Sequence, residues 1–191
     1  TLAGVKVVTL ADGAVYDDKA TAFDLLRAII VMSRAHEENT SRTRKVAKAW
    51  AEKKEEARRT GKKVSKRGPA WTRWNDAIQD FELIPKRALT VQRMFNLAAD
   101  GLGSSAIAAI LNDEGVATFG SNGWPPEYIL KTLHAPSTIR LYQPNKTSKE
   151  PGQRMVRTPD GDPIPDYYPE VVSPDLFYRV QAVIDQRKKP H

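Results

Sequence analysis

The densest basic stretch of the sequence lies between residues 42 and 67, where twelve lysines and arginines are accompanied by three glutamates. Such a density of cations favours a polyanionic partner, because each lysine or arginine that neutralises a nucleic-acid phosphate releases condensed counterions. We predict contacts along a phosphate backbone or groove by Arg42, Arg44, Lys45, Lys48, Lys62, Lys63, Lys66 and Arg67. The alternative is a solvated helix face whose lysines pair with glutamates one turn away.

A second set of polar residues follows Pro125 and Pro126, which are typical of a helix start. Polar side chains on such a helix can hydrogen-bond base edges in a major groove. We predict base reading by Tyr128, Lys131, Thr132 and His134 on this helix, and by Arg140, Asn145 and Lys146 beside it. A packed helical hairpin without any such role is the alternative, in which Tyr128 is a core residue.

The sequence contains little evidence for a nucleotide-binding, hydrolytic or metal site. The phosphate loop GxxxxGK and the hydrolase motifs HExxH and GxSxG do not occur. The chain has no cysteine, and its three histidines are scattered, so neither a disulfide nor a thiolate zinc site is expected. A metal site at Asp12, Asp17 and Asp18 is conceivable, but acidic residues beside a turn are far more often turn and cap residues. We expect no metal and no cofactor.

The overall charge agrees with a polyanionic partner. With 191 residues, a formal charge of +7 and a pI near 9.6, the chain is long enough for one ordinary domain or two small ones. The apolar run "LLRAIIVM" is interrupted by Arg27 and is too short to span a membrane. Because no signal-peptide pattern is visible either, we expect a cytoplasmic protein without membrane association.

The basic residues depend on a long helix for their position. After a β-branched run at 5–9, an Asp12-Gly13 turn and a short extended piece at Val15 and Tyr16, no proline or glycine occurs from 21 to 60. We predict a strand with a stub hairpin at 5–16, and we expect no partner strand for it in the next hundred residues. For residues 21–60 we predict one long helix that ends at Gly61. The apolar half of this helix predicts self-association through Phe23, Leu26, Ile29 and Ile30.

The remainder predicts a compact, mainly helical part. Val91, Met94, Phe95, Ala98 and Leu102 share one helix face, and Ser104 or Ser105 is expected to cap the next helix. We expect Trp71 and Trp74 to be core residues, the segment after residue 140 to be a loop or two-stranded excursion, and a last helix capped by Ser173. The predicted fold is mainly α with minor β, with a long exposed helix linked to a helical DNA-binding domain that contains a helix-turn-helix-like pair. The predicted divisions are 1–20, 21–60, a flexible basic connector at 61–70, and 71–191.

These segments resemble, in the same order, the large serine recombinases, which include phage and transposon integrases and their resolvase and invertase relatives. "AGVKVVTLADGAVYD" resembles the last strand region of the family's catalytic domain, and "LLRAIIVMSRAHEENTSRTRKVAKAW" resembles the helix that links it to the DNA-binding part. The stretches "GPAWTRW" through "YILKTL" and "GDPIPDYYPEVVSPDLFYRVQ" resemble the recombinase domain and its closing segment. The similarity covers nearly the whole chain.

The resemblance implies site-specific DNA cutting and rejoining through a phosphoserine link, in a tetramer assembled from dimers. The family's nucleophile lies in a Tyr-x-Arg-x-Ser context that no serine here matches, so we expect this segment, which looks trimmed at both ends, to be inactive alone. The resemblance implies double-stranded DNA as partner, with the basic helix half near the cleavage site. The alternatives are a non-enzymatic sequence-specific DNA-binding protein, a scaffold that associates through its long helix, and, with less support, an RNA-binding protein.

Overall fold

The computed structural model describes residues 7–8, 13, 15–16, 21–120, 123–148, 152 and 154–188. In these ranges the helices are α1 (Ala22–Thr60), α2 (Pro85–Ala99), α3 (Ser104–Asp113), α4 (Pro126–Leu133) and α5 (Pro174–Lys188), with a 3₁₀ turn at Pro136–Ile139. Three antiparallel pairs join β1 (Val7–Val8) to β2 (Val15–Tyr16), β3 (Thr72–Asn75) to β4 (Asp80–Leu83), and β5 (Asn145–Ser148) to β6 (Val156–Pro159). The predicted fold class, mainly α with minor β, is therefore confirmed.

The chain divides into two compact units, Thr1–Lys53 and Lys54–His191. In the first unit, the stub hairpin forms as predicted, with Val7 paired to Tyr16 and Val8 to Val15. The turn residue Gly13 has a φ of +67°, a value that glycine adopts without steric cost. The acidic residues considered for a metal site, Asp12, Asp17 and Asp18, lie outside the described residues.

A reciprocal cap explains where α1 begins. The backbone N and Oγ1 of Thr21 donate to Asp24 Oδ2 at 2.9 and 2.6 Å, and the Asp24 amide donates to Thr21 Oγ1 at 3.2 Å. These hydrogen bonds from Thr21 lower the pKa of Asp24.

No helix in the described ranges is both long enough and apolar enough to cross a bilayer.

The first half of α1 exposes the apolar side chains that were predicted to mediate self-association. Phe23, Leu26, Ile29 and Ile30 are exposed, with accessible fractions of 74%, 54%, 62% and 60%. Ala28 is buried between them. Exposed apolar side chains clustered on one helix surface are typical of interaction sites.

The second unit, called here the helical unit, has its main core between α2, α3, α4 and α5. The predicted face of α2 is buried, because Val91, Met94 and Phe95 are fully inaccessible and Ala98 nearly so. Leu102, which was predicted on the same face, lies beyond the end of the helix at Ala99. Phe95 stacks on Phe177 of α5 with a ring-centroid separation of 6.0 Å. Burial of this apolar stripe stabilises α2, because a helix of this length is only marginally stable in isolation.

A smaller core, called here the tyrosine cluster, consists of Ala57, Val64, Phe81, Ile164, Tyr167 and Tyr168. It joins the last turns of α1 to the β3–β4 hairpin and to the segment after β6. Trp71 belongs to the main core, as predicted, whereas Trp74 is only partly buried and packs edge-on against Phe81 of the tyrosine cluster, with a ring-centroid separation of 5.2 Å. Burial in this cluster raises the pKa of Tyr167 and Tyr168.

Two local features differ from the sequence-based expectations. The β3–β4 hairpin was not predicted, because its strands are four residues long and its turn places Gln79, not glycine, at a positive φ of 52°. Helix α3 begins at Ser104 with Gly103 as its N-cap and no side-chain cap, so the predicted serine cap is wrong. At α5 the Ser173 cap is confirmed, since the Leu176 amide donates to Ser173 Oγ at 3.3 Å.

Candidate nucleic-acid interface

The basic part of α1 presents its cations to solvent. Arg42, Arg44 and Lys45 are exposed and make no ion pair within the described residues. Lys48 lies 3.9 Å from Glu52, but their side chains are 80% and 66% exposed, and such a pair contributes little in water. Positive charge that is not neutralised inside the protein is what a polyanionic partner requires.

The connector at 61–70 is packed within the helical unit and does not form the flexible segment that was expected. Lys63 donates to the Tyr167 carbonyl at 2.7 Å and pairs with Asp80 at 3.1 Å, and its side chain is only 9% exposed. The amide of Val64, itself buried, donates to the Tyr167 hydroxyl. The predicted DNA contact by Lys63 therefore does not fit the structure, because its ammonium is occupied within the protein.

The other connector cations are less constrained. Lys62 pairs with Glu56 at 3.1 Å, and Lys66 bonds to Asp76, which lowers the pKa of that carboxyl. Arg67 is exposed and makes no ion pair in the part of the chain that the structure describes. Among the four predicted connector residues, Arg67 is thus the cation that needs no internal bond to be broken before it meets a phosphate.

The connection between α3 and α4 is fixed by a reciprocal pair of hydrogen bonds. Asn112 Nδ2 donates to the Trp124 carbonyl at 3.1 Å, and the Trp124 amide donates to Asn112 Oδ1 at 2.7 Å. The indole of Trp124 donates to the Val116 carbonyl at 2.9 Å and packs edge-on against Phe119. These contacts set the position at which α4 begins, although residues 114–125 form a longer connection than a simple helix-turn-helix has.

The outward side of α4 is polar. Lys131 is exposed and makes no ion pair among the described residues. Tyr128 is half-buried, and this burial raises the pKa of its phenol. Both side chains line a groove of about 400 Å³ whose other wall includes connector residues 68–70. An exposed cation beside a protonated phenol gives this groove donors that suit phosphate or base acceptors.

Thr132 does not lie on that polar side. Its side chain is 3% exposed, and its hydroxyl donates to the Tyr128 carbonyl at 2.8 Å. The predicted base contact by Thr132 is therefore corrected, because at helical spacing it falls on the buried face between Ile129 and Leu133.

The remaining predicted residues lie on two further elements. Arg140 ends the 3₁₀ turn at a φ of +73° and pairs with Asp166 at 2.8 Å while staying half exposed. Asn145 and Lys146 are exposed on β5. Within the described ranges, no group of three histidine or carboxylate side chains is placed to hold a metal ion.

A polar clamp at the end of α1 was not predicted from the sequence. Lys54 Nζ donates to Asp160 Oδ2 at 2.6 Å and to the Asn145 carbonyl at 3.1 Å, and Arg58 donates to the Asp160 carbonyl. These residues are about a hundred positions apart, so no local pattern could have indicated the contact. The clamp ties the β5–β6 pair to the last turns of α1.

Acid should release this clamp. The Lys54 hydrogen bond, followed by the charges of Lys54, Arg58 and Lys146, holds the pKa of Asp160 below its usual 3.8. A carboxyl with a depressed native pKa stabilises the fold above its ordinary pKa, and that contribution is lost as the pH falls through the native value. We expect Asp160→Asn to lower the thermal midpoint near pH 7, and the difference from the unmodified chain to shrink progressively as the pH falls below the ordinary value of 3.8. Asp162→Asn, at an exposed carboxyl two residues away, is the control and should change neither; a pH-independent difference for Asp160→Asn would contradict the assignment.

Comparison with known proteins places these features in a family. Residues 85–187, more than half of the chain and all of α2 to α4 with most of α5, match the family described as Recombinase. The chain is also 31% identical over 184 residues to a protein of Escherichia coli strain K12 called "Uncharacterized protein YbcK". That alignment covers 94% of this chain and 35% of YbcK, so the chain spans about a third of the relative's length. The chain therefore belongs to the Recombinase family.

Proposed function

We propose that this chain is the DNA-binding portion of a site-specific recombinase of the serine type. The observation that carries the proposal is the run of exposed cations Arg42, Arg44 and Lys45, which lack ion pairs among the described residues, in a chain whose helical unit belongs to the Recombinase family. Much of a protein's affinity for DNA comes from such neutralisation of phosphates, and this contribution does not depend on the sequence of the DNA.

In this proposal, two surfaces have different tasks. Arg42, Arg44, Lys45 and Lys48 contact the phosphate backbone and fix the position of the protein on the duplex. Tyr128 and Lys131 on α4 face base edges, because an exposed helix side chain can reach the distinct donor and acceptor pattern of the major groove. The pair α3 and α4 then acts as the helix-turn-helix-like element.

The whole protein would cut and rejoin DNA through a phosphoserine intermediate, which we assign to no serine of this chain. The exposed apolar side chains of α1, Phe23, Leu26, Ile29 and Ile30, would join copies into the dimers and tetramers that strand exchange requires. Their exposure supports this part of the proposal, since burying an apolar side chain of this size contributes roughly 1.5–3 kcal/mol.

The proposal is tested by incubating the chain with a pool of random duplex DNA at two salt concentrations and sequencing the retained fraction. We expect an enriched motif longer than about ten base pairs and affinity that falls steeply with salt. Retention without a motif would contradict base reading by α4, and no retention at moderate salt would contradict the proposal as a whole.

The exposed apolar side of α1 also fits a second function, that of a scaffold which associates through its long helix without binding DNA. Sedimentation of the chain with and without duplex separates the two functions. Self-association that neither needs nor recruits duplex DNA would favour the scaffold, whereas preferential retention of RNA would favour an RNA-binding role.

A further inference from the structure

The β5–β6 pair, called here the ribbon, lies on the surface of the helical unit. Seven of its eight strand residues are exposed and Thr158 is half-buried, so neither face of the ribbon covers a core. A two-stranded sheet is marginally stable by itself in water. The ribbon must therefore owe its position to contacts at its base or to a partner.

The base of the ribbon is firmly held. The Asp160 amide donates to the Pro144 carbonyl at 2.9 Å, and Tyr142 and Ile164 exchange backbone hydrogen bonds at 2.9 and 2.8 Å. The clamp from Lys54 and Arg58 adds side-chain bonds to Asn145 and Asp160. Contacts within the protein thus fix the base of the ribbon, whereas neither face of its two strands packs on an apolar core.

The ribbon carries cations on both of its faces. Lys146 is opposite Thr158 and Arg157 is opposite Thr147 in the strand register. Directly paired residues share a face and successive residues alternate, so Lys146 and Arg157 lie on opposite faces. Neither makes an ion pair in the described part of the chain, although Lys146 is close enough to Asp160 to help lower the pKa of that carboxyl.

The sequence between and around the strands adds to this charge. Residues 145–159 contain Lys146, Lys149, Arg154 and Arg157 against one acid, Glu150. Met155 and Val156 are also exposed, at 68% and 49%. Lysine and arginine on an exposed strand can also prevent edge-to-edge association between sheets, but this role does not require a cation on both faces of the ribbon.

We propose that the ribbon is a third DNA-contacting element that enters the major groove, with Lys146 and Arg157 directed to the phosphate backbones on either side. The inference rests on the proposed function and extends it from α1 and α4 to the ribbon. The two strands of a ribbon are about 4.8 Å apart, and the major groove is about 12 Å wide, which admits a two-stranded ribbon. An element flanked by phosphates on both sides requires positive charge on both faces.

The test compares single and combined substitutions in the whole chain on sheared duplex DNA of mixed sequence. Lys146→Ala and Arg157→Ala should each lower the slope of log affinity against log salt by about 0.9, and the double variant by about 1.8. Arg179→Ala, at an exposed arginine of α5 without an ion pair among the described residues, is the matched control and should leave the slope unchanged. Because the substituted side chains are exposed, thermal unfolding should show all variants folded.

The outcomes separate this inference from the function on which it rests. If the unmodified chain does not bind duplex DNA, the proposed function fails. If it binds and only one of the two face variants lowers the slope, the ribbon lies against one backbone and the groove insertion is wrong. If neither variant changes the slope while the double variant self-associates in sedimentation, the cations serve to keep strand edges apart and the whole inference is overturned.

A chemical probe provides a second measurement. Since the chain has no cysteine, Thr147→Cys introduces one thiol on β5 for an attached iron–EDTA group, and Arg179→Cys introduces the control on α5. On a duplex that carries the retained motif, the ribbon probe should cut both strands at positions across one major groove. Scattered cutting equal to that of the control would contradict insertion.

Discussion

Replacing Phe95 by alanine is expected to destabilise the helical unit by about 3–5 kcal/mol, the usual range for a buried phenylalanine. Its side chain is fully inaccessible in the middle of α2 and stacks on Phe177 of α5. Removal of the ring loses its burial and leaves a cavity that the two helices cannot both close. The measurement is urea unfolding followed by the circular dichroism signal of the helices.

Leu89→Ala is the matched control for this variant. Leu89 belongs to the same helix, but its side chain is 65% exposed, so we expect a change within about 0.5 kcal/mol. Similar effects at the two positions would mean that the α2 face packed on α5 is not the one described here. Because α4 also packs against α2, Phe95→Ala should weaken DNA binding in parallel with stability.

Alanine at Arg42, Arg44, Lys45 and Lys48 together is expected to weaken binding to every duplex by at least about tenfold and to lower the salt slope by about 3–4. The physical reason is that phosphate contacts supply affinity without reading sequence. The enriched motif should therefore remain the same. Lys131→Ala on α4 should instead alter the motif and change the slope by less than about 1.

Two comparisons make this prediction specific. Arg44→Ala and Arg34→Ala remove the same side chain from the same helix, but Arg34 is paired with Glu38 at 3.4 Å and lies in the apolar half of α1. We expect the larger effect at Arg44. Equal loss at both arginines, or a changed motif in the fourfold variant, would contradict the division between backbone contact by α1 and base contact by α4.

The sequence predicted the elements that depend on local signals. The bounds of α1 follow from an uninterrupted run between Thr21 and Gly61, and the buried face of α2 follows from helical spacing around Phe95. The β3–β4 hairpin was missed because its strands are short and its turn lacks glycine. Such a hairpin owes its existence to tertiary packing, here of Phe81 in the tyrosine cluster.

The sequence predicted which kinds of residue form the candidate site, but not which of these individual residues are exposed. Exposure of Arg42 and Lys131 agrees with the expectation that charged residues lie on the surface. Lys63 and Thr132 have polar side chains too, yet one is held by Tyr167 and Asp80 and the other falls on the buried face of α4. A linear pattern does not show that Lys63 is bonded to Tyr167, which is 104 positions away, whereas the burial of Thr132 follows from its helical spacing with Ile129 and Leu133.

The packed connector at 61–70 has a thermodynamic consequence. Ordering the backbone of one residue costs about 1–2 kcal/mol of conformational entropy, so ten flexible residues would lose roughly 10–20 kcal/mol on meeting a partner. Here Lys63 and Val64 are already held by Tyr167, so the conformational entropy of these two residues is lost when the unit folds. If the connector contacts a partner, the cost of ordering these two residues does not reduce the free energy of binding.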